Sequence, residues 1–313
     1  MVRAVVATAW SGADTVSVQD VPSRPAGPDE VVVAVRATAI SPFDLKRARG
    51  VFGRDTALLP LRLGNEAAGV VTAAGSRAAG FDGLPVRVGE EVFGHWLPGA
   101  QAGELTLPAG VLLHKPPALG FAEAAALLGS ATTAAHALDA VAVGAGDTVL
   151  VHGAAGSVGN MTARLALLRG AAVVGTAAPG RHGRLRAEGV EPVSYGEGLA
   201  ERVRAAAPGG VTAAVDTVGT AEALDVSFAL VPDPARVVTM VDARTAADRG
   251  GQAIGPGPET ERVRTAARLD LTRLAARGDL PVPVAHLFAL EDARSAYRTL
   301  AAGHAGGKIV LIP

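Results

Sequence analysis

Two textures of apolar residues divide the chain. In its first third the hydrophobic positions come in short β-branched runs broken by Gly and Pro. Val31-Val32-Val33-Ala34-Val35-Arg36-Ala37 follows the turn signal Pro28-Asp29, and Gly64–Val71 and Glu90–Gly94 are shorter runs bounded by glycine. The pattern predicts a small, irregular β domain, with Val2–Val6 as its first strand. From Phe121 the texture changes. The Ala-rich stretches 122–128 and 132–141 have helical spacing, and strands then alternate with helices. Strands are predicted at 148–152, 171–176, 192–195, 211–218 and 236–241, with helices at 158–169, 184–188, 199–207 and 221–230. Such alternation predicts βαβ units and a parallel sheet. Residues 244–258 are Gly- and Pro-rich and predict a loop. A long helix is expected over 261–277, another over 291–302, and a last strand over 308–312.

Composition narrows the function classes. With 313 residues, 49% of them hydrophobic, the chain is long enough for two domains with separate cores. A net charge of -1 gives no general attraction to nucleic acid or anionic membranes. No apolar window reaches the roughly 18 residues of a transmembrane helix, and the N-terminus lacks the pattern of a signal peptide, so a cytoplasmic protein is expected. There are 0 cysteines, which excludes disulfides, thiolate zinc sites and cysteine nucleophiles.

The most informative segment is Val149-Leu150-Val151-His152-Gly153-Ala154-Ala155-Gly156-Ser157-Val158-Gly159. An apolar strand enters a Gly-rich turn that opens a helix. Gly156 admits a pyrophosphate close to the backbone, Gly159 lets the helix pack on the strand, and the helix N-terminus supplies N–H groups and a positive dipole end. The first glycine of the usual dinucleotide fingerprint is replaced by Ala154. An NAD-binding fold offers an acid to the ribose about 20 residues later. Here the next strand ends Val174-Gly175-Thr176, no acid occurs before Glu188, and Arg181, His182, Arg184 and Arg186 come instead. A guanidinium can bind a 2′-phosphate that an acid would repel, so the pattern favours NADPH. Arg181 and His182 sit nearest the strand end and are the expected phosphate contacts, with Arg184 and Arg186 expected at the surface.

These blocks resemble the quinone oxidoreductase branch of the medium-chain dehydrogenase/reductase superfamily. The loop Gly153–Gly159 is similar to that family's loop. Ile40-Ser41-Pro42-Phe43-Asp44-Leu45-Lys46-Arg47 resembles its N-P-x-D-x-K segment, and Pro60–Val71 its P-x-x-x-G-x-E-x-x-G-x-V block. Ala213–Gly219 and Gly303-His304-Ala305-Gly306-Gly307-Lys308-Ile309-Val310 match two further signatures. The resemblance implies an α/β chain: a GroES-like β domain over residues 1–120, completed by 265–313, and a doubly wound Rossmann domain over 121–264. The active site would lie where the two meet. It also implies a homodimer, a small-molecule substrate, and no nucleic-acid or membrane partner.

Zinc enzymes of the superfamily carry a cysteine and a histidine where Ser41 and Asn65 stand here. A hydroxyl and an amide are poor zinc ligands, so no metal is expected. Hydride transfer would then need an acceptor that is already electrophilic, a quinone or an α,β-unsaturated carbonyl. An enoyl-thioester reductase, with Arg47, Arg49, Arg54 and Arg62 as a basic rim for its carrier, is the alternative. A non-catalytic nucleotide- or RNA-binding relative is the alternative of another class. By resemblance, Ser41, Asp44 and Thr132 line the nicotinamide and substrate, and Ser41, Asp44, Lys46 and His95 are the candidate proton donors or orienters. Ala154, Ala155, Gly156, Ser157, Val158, Gly159, Thr176, Arg181, His182, Tyr195, Val218, Val241 and Lys308 are the expected cofactor contacts. For Asp44 a turn-capping role, and for Lys308 a surface position, are the plain alternatives.

Overall fold

The computed structural model describes residues 1–303 and 305–313. His304, part of the last family signature, lies outside the described residues. Along the chain run β1 (Val2–Ala7), β2 (Val16–Val21), β3 (Glu30–Ile40), α1 (Pro42–Ala48), β4 (Leu61–Arg62), β5 (Glu66–Ala74), β6 (Glu91–His95), β7 (Glu104–Pro108), β8 (Leu112–His114) and α2 (Phe121–Ala140). There follow β9 (Thr148–His152), α3 (Ser157–Leu168), β10 (Ala172–Thr176), α4 (His182–Ala187), β11 (Glu191–Val193), α5 (Leu199–Ala206), β12 (Ala213–Asp216), α6 (Ala221–Leu230) and β13 (Val237–Thr239). The remainder is α7 (Ala243–Asp248), β14 (Gln252–Ala253), α8 (Pro258–Ala266), α9 (Arg268–Ala276), β15 (Val284–Ala289), α10 (Ala293–Ala302) and β16 (Lys308–Ile312). The chain divides into two units, one formed by Met1–Gly129 with Thr272–Pro313, the other by Ser130–Leu271. The first crossing between these units falls inside α2, where the two Ala-rich stretches form one uninterrupted helix.

The first unit is built on β3, whose β-branched run packs into the core while its edges bind other strands. Among the described residues β3 pairs antiparallel with β5, β7 and β16, in a sheet ordered β15-β16-β3-β5-β6-β8. The register Ile309↔Ile40 draws the last strand of the chain into this sheet. A smaller sheet, β2-β1-β4, completes the unit. Val31, Val33, Val35, Val71, Val92 and Leu105 share one core cluster. At Gly69 any side chain would overlap the Ala34 carbonyl of β3, so glycine permits the close strand contact there.

The second unit carries a parallel sheet ordered β11-β10-β9-β12-β13-β14. Taking β9 as first, this is the doubly wound order whose direction reverses between the first and fourth strands. Val149, Leu150 and Val151 are fully buried, as expected of a strand covered on both faces. Ligands of such sheets bind beyond the carboxyl ends of the strands at the reversal, here after His152 and Asp216.

Two expectations fail locally. Residues 244–258 contain α7 and the edge strand β14, since Asp242 caps α7 by accepting from Thr245 N and Oγ1. The long helix over 261–277 is two helices, α8 and α9. Ala267 between them keeps a helical backbone (φ -78°, ψ -12°) but its N–H turns to Thr265 O, which separates the two helices. Among the described residues no helix is long and apolar enough to cross a membrane.

Candidate active site

The carboxyl edge of the parallel sheet gathers candidates that are far apart in sequence. At the end of β9, Gly153 turns the chain with φ +76°; its N–H donates to Thr176 Oγ1 (3.0 Å) and Ala154 N to Thr176 O (3.0 Å). The loop is thereby tied to the end of β10. Gly156 N donates to Gly153 O (2.9 Å), closing the turn, and the first bond accepted by Gly156 O comes from Asn160 N (2.9 Å). The N–H groups of Ser157, Val158 and Gly159 thus stand at the mouth of α3, ahead of its ladder. A Cβ at Gly159 would overlap Gly153 O and approach Ala154 Cα to 3.0 Å, which is why the helix can sit so near the strand.

A carboxylate holds the neighbouring loops. Asp216, fully buried at the end of β12, accepts from Val218 N (2.9 Å), Gly219 N (2.9 Å) and Thr239 Oγ1 (2.7 Å). Thr239 Oγ1 accepts in turn from Val241 N (3.1 Å), and Thr217 Oγ1 donates to His152 O (2.7 Å). His152 lies 3.0 Å from Ser227 Oγ, and burial pushes its pKa down to about 4, so it is a neutral part of the scaffold. This network leaves Val218, Val241 and Tyr195 46%, 45% and 49% exposed, bare apolar surface around the loop.

The expected contacts separate into two kinds. Ala155, Gly156, Ser157 and Val158 are partly accessible, whereas Ala154 and Thr176 are buried and hold the loop from beneath. Arg181 is exposed, and among the described residues its guanidinium makes no hydrogen bond or ion pair. His182 Nε2 lies 3.2 Å from Ala177 O. Arg184 departs from its expected surface position: Nη2 donates to Ala155 O (3.1 Å), and Glu188, 3.6 Å from its Nε, accepts from Asn160 Nδ2 (2.7 Å). Arg184 thus ties α4 to the loop and α3. Thr132 is fully buried on α2. The residues present fit a nicotinamide dinucleotide: a glycine turn that lets the helix mouth sit close to the strand end, unladdered N–H groups and, among the described residues, an unpaired guanidinium.

In the first unit Ser41 and Asp44 come together. They form a capping box at α1: Ser41 N and Oγ donate to Asp44 Oδ2 (2.9 and 2.7 Å), and Asp44 N donates to Ser41 Oγ (3.4 Å). Asp44 Oδ1 accepts from Gly64 N and Asn65 Nδ2, both at 3.2 Å. Burial raises the Asp44 pKa while the bonds from Ser41 oppose the rise. With four donors converging on it, Asp44 is a positioning carboxylate that joins α1 to the 64–65 turn. The capping box expected of that spacing is present.

Lys308 is not at the surface. Its ammonium donates to Glu66 Oε1 at 2.6 Å with both side chains about 5% exposed or less, and Gly129 N donates to Glu66 Oε2 (2.9 Å). Burial pushes the Glu66 pKa up, but the charges of Lys308 and His95 and the bonds from Lys308 and Gly129 outweigh it, leaving it below its ordinary value. Beside this pair His95 is buried against Trp96 (4.5 Å between rings), and Phe43 meets Trp96 edge-on (5.9 Å) and Phe52 (5.1 Å). Lys46 is exposed. The donor set does not suit zinc: Ser41 and Asn65 both spend a donor on Asp44. Among the described residues no three His, Cys, Asp or Glu could share a metal ion.

A GroES-like sheet and a doubly wound nucleotide fold in one chain define a dehydrogenase/reductase architecture. The family models agree: residues 27–117 match the alcohol dehydrogenase GroES-like domain, and residues 189–311 the zinc-binding dehydrogenase domain. The chain belongs to the medium-chain dehydrogenase/reductase superfamily. It is 29% identical to a quinone oxidoreductase of Pseudomonas aeruginosa, covering 100% of both chains. It is 35% identical to the spectinabilin polyketide synthase system protein NorB of Streptomyces orinoci, over 92% of this chain but 13% of that one. The chain therefore spans a small part of that relative's length. A crystal structure of a probable oxidoreductase from Mycobacterium abscessus has a TM-score of 0.83 at 28% identity, covering 100% of this chain and 99% of that one.

Proposed function

We propose that this oxidoreductase uses NADPH to reduce a quinone or an α,β-unsaturated carbonyl, without zinc. One observation carries the reading: past the strand beside the phosphate loop stands the unpaired guanidinium of Arg181, where an NAD site would carry an acid. The N–H groups of Ser157, Val158 and Gly159 would hold the pyrophosphate, with Arg181 and His182 on the 2′-phosphate. Val218 and Val241 would pack along the cofactor, and Tyr195 would touch its phosphates. When bound, the reduced nicotinamide supplies a hydride. Ser41, fixed by Asp44, is the group we assign to orient the acceptor oxygen, and solvent can protonate the product. Likeness over the full length of a quinone oxidoreductase, at 29% identity, supports this acceptor class.

Arg181→Ala tests the cofactor assignment. The expected result is NADPH affinity lowered roughly ten- to a hundredfold, the loss of a charge-assisted bond of about 1.5–3 kcal/mol, with NADH affinity little changed. Equal losses for the two cofactors in a fluorescence titration would remove the phosphate role. Oxidation of NADPH by a panel of quinones, enones and enoyl thioesters tests the acceptor. Faster turnover of thioesters would favour a second reading, an enoyl-thioester reductase, which the likeness to a polyketide synthase protein supports. Tight NADPH binding with no turnover across the panel would favour a non-catalytic nucleotide-binding protein. We further propose domains of 1–120 with 265–313 and of 121–264, and a homodimer.

A further inference from the structure

A buried guanidinium needs an acceptor or a counter-charge, because desolvation is costly and its donors otherwise go unused. Arg264 on α8 lacks both. The side chain is half-buried; its Nε is buried with no hydrogen-bond partner, and among the described residues it makes no hydrogen bond or ion pair. Burial alone pulls its pKa down to about 10. His136 on α2 is near enough for the charge of Arg264 to act on it, and its Nδ1 is likewise buried without a partner. Burial and Arg264 hold the imidazole below its usual pKa, while Asp139 and Glu259 pull the other way. Neither carboxylate neutralises the pair directly. Asp139 binds Arg169 at 2.7 Å, and Glu259 binds Arg262 at 2.6 Å. Two half-buried side chains from separate helices thus each keep one nitrogen out of water with nothing to bind. Neither belongs to the strand ends that carry the proposed NADPH contacts.

We propose that Arg264 and His136 form an anion-binding site of the second unit that takes a small oxyanion, a carboxylate or a phosphate group. The guanidinium offers a planar fork of donors matched to two oxygens of such a group. The imidazole supplies a further N–H, from Nδ1 in the appropriate tautomer or on protonation. An anion between them restores the acceptors and the counter-charge that the fold withholds.

Thermal unfolding of the full, cofactor-free chain tests this, in chloride buffer and then with sodium phosphate or sodium acetate at constant ionic strength. Anion at ten times its dissociation constant should raise the wild-type melting temperature by roughly 3–6 °C. Arg264→Met should melt no lower than wild type in chloride, since it removes an unpaired, partly buried charge, and should lose the anion response. His136→Phe should reduce the response independently. A response to phosphate alone assigns a phosphate group, to acetate alone a carboxylate, and to both the shared oxyanion chemistry. The proposal is overturned if wild type responds to neither salt, or if wild type and Arg264→Met shift equally. Equal shifts would assign the anion to the mouth of α3. Because no cofactor is present, the result is independent of the proposed hydride chemistry.

Discussion

Gly159→Val is expected to lose nicotinamide dinucleotide binding and to destabilise the second unit. The first atom of any side chain at 159 would overlap the carbonyl oxygen of Gly153 and crowd the Ala154 backbone. These are backbone atoms, fixed by the bonds of Gly153 N and Ala154 N to Thr176. Relief can come only by moving α3 off the strand or by deforming the turn. Either displaces the N–H groups at the helix mouth from the geometry a pyrophosphate needs. Forfeiting one charge-assisted bond costs roughly 1.5–3 kcal/mol, a roughly ten- to a hundredfold loss of affinity, and disturbing several costs more. Overpacking adds about 1–3 kcal/mol of instability. Gly180→Ala is the control: nothing lies within 4 Å of a Cβ there, so affinity and melting should stay near wild type. Titration of the purified variants with NADPH and NADH, beside circular-dichroism melting, measures both effects. Wild-type affinity in Gly159→Val would sink the assignment of the loop.

The second unit was legible because its strands are buried on both faces. Val149-Leu150-Val151 and Ala213-Ala214-Val215 appear in sequence as unbroken apolar runs between glycines and helical stretches. The first unit was harder to read. Its short strands β2, β4, β7 and β15 alternate weakly, and β16 is paired to β3 by contacts between opposite ends of the chain. No local pattern carries that pairing; only the resemblance anticipated it.

At the site, the contacts set by backbone turns were legible and those set by tertiary bonds were not. Gly156 and Gly159 announce the loop because the turn demands their residue type. Asp216 was visible inside a family signature, yet its task of holding the Val218 and Val241 loops through three donors needs β12 and β13 side by side. Arg184 lies three residues from Arg181 in sequence, but only the packing of α4 brings its guanidinium to Ala155 O. The spacing of Ser41 and Asp44 was a readable capping signal, since an acid three residues after a serine matches a capping box.

Lys308→Met should be the most destabilising single change in the first unit, by about 3–5 kcal/mol, because it strands the Glu66 carboxylate in the interior with one partner lost. The pair is 2.6 Å apart and almost wholly buried, so solvent cannot replace the ammonium. The pH dependence should change sign with it. In the wild type the Glu66 pKa lies below its usual 4.5, so its contribution is present above that value and fades as pH falls through the lower folded pKa. In the variant, burial acts without the lysine, and the folded pKa rises above 4.5. Its contribution is then present below 4.5 and is lost as pH rises through the raised value. The stability gap between the two proteins should therefore widen from pH 5 to pH 7.5, with contributions of other groups such as Asp44 cancelling in the difference. Glu66→Gln in the same chain should recover much of the loss, since a neutral amide tolerates burial that a lone carboxylate does not. Urea unfolding of wild type, both single variants and the double variant at the two pH values closes the cycle. A gap that stays constant with pH, or a Lys308→Met protein that keeps its stability and loses only NADPH affinity, would show that the lysine serves the cofactor and not the buried carboxylate.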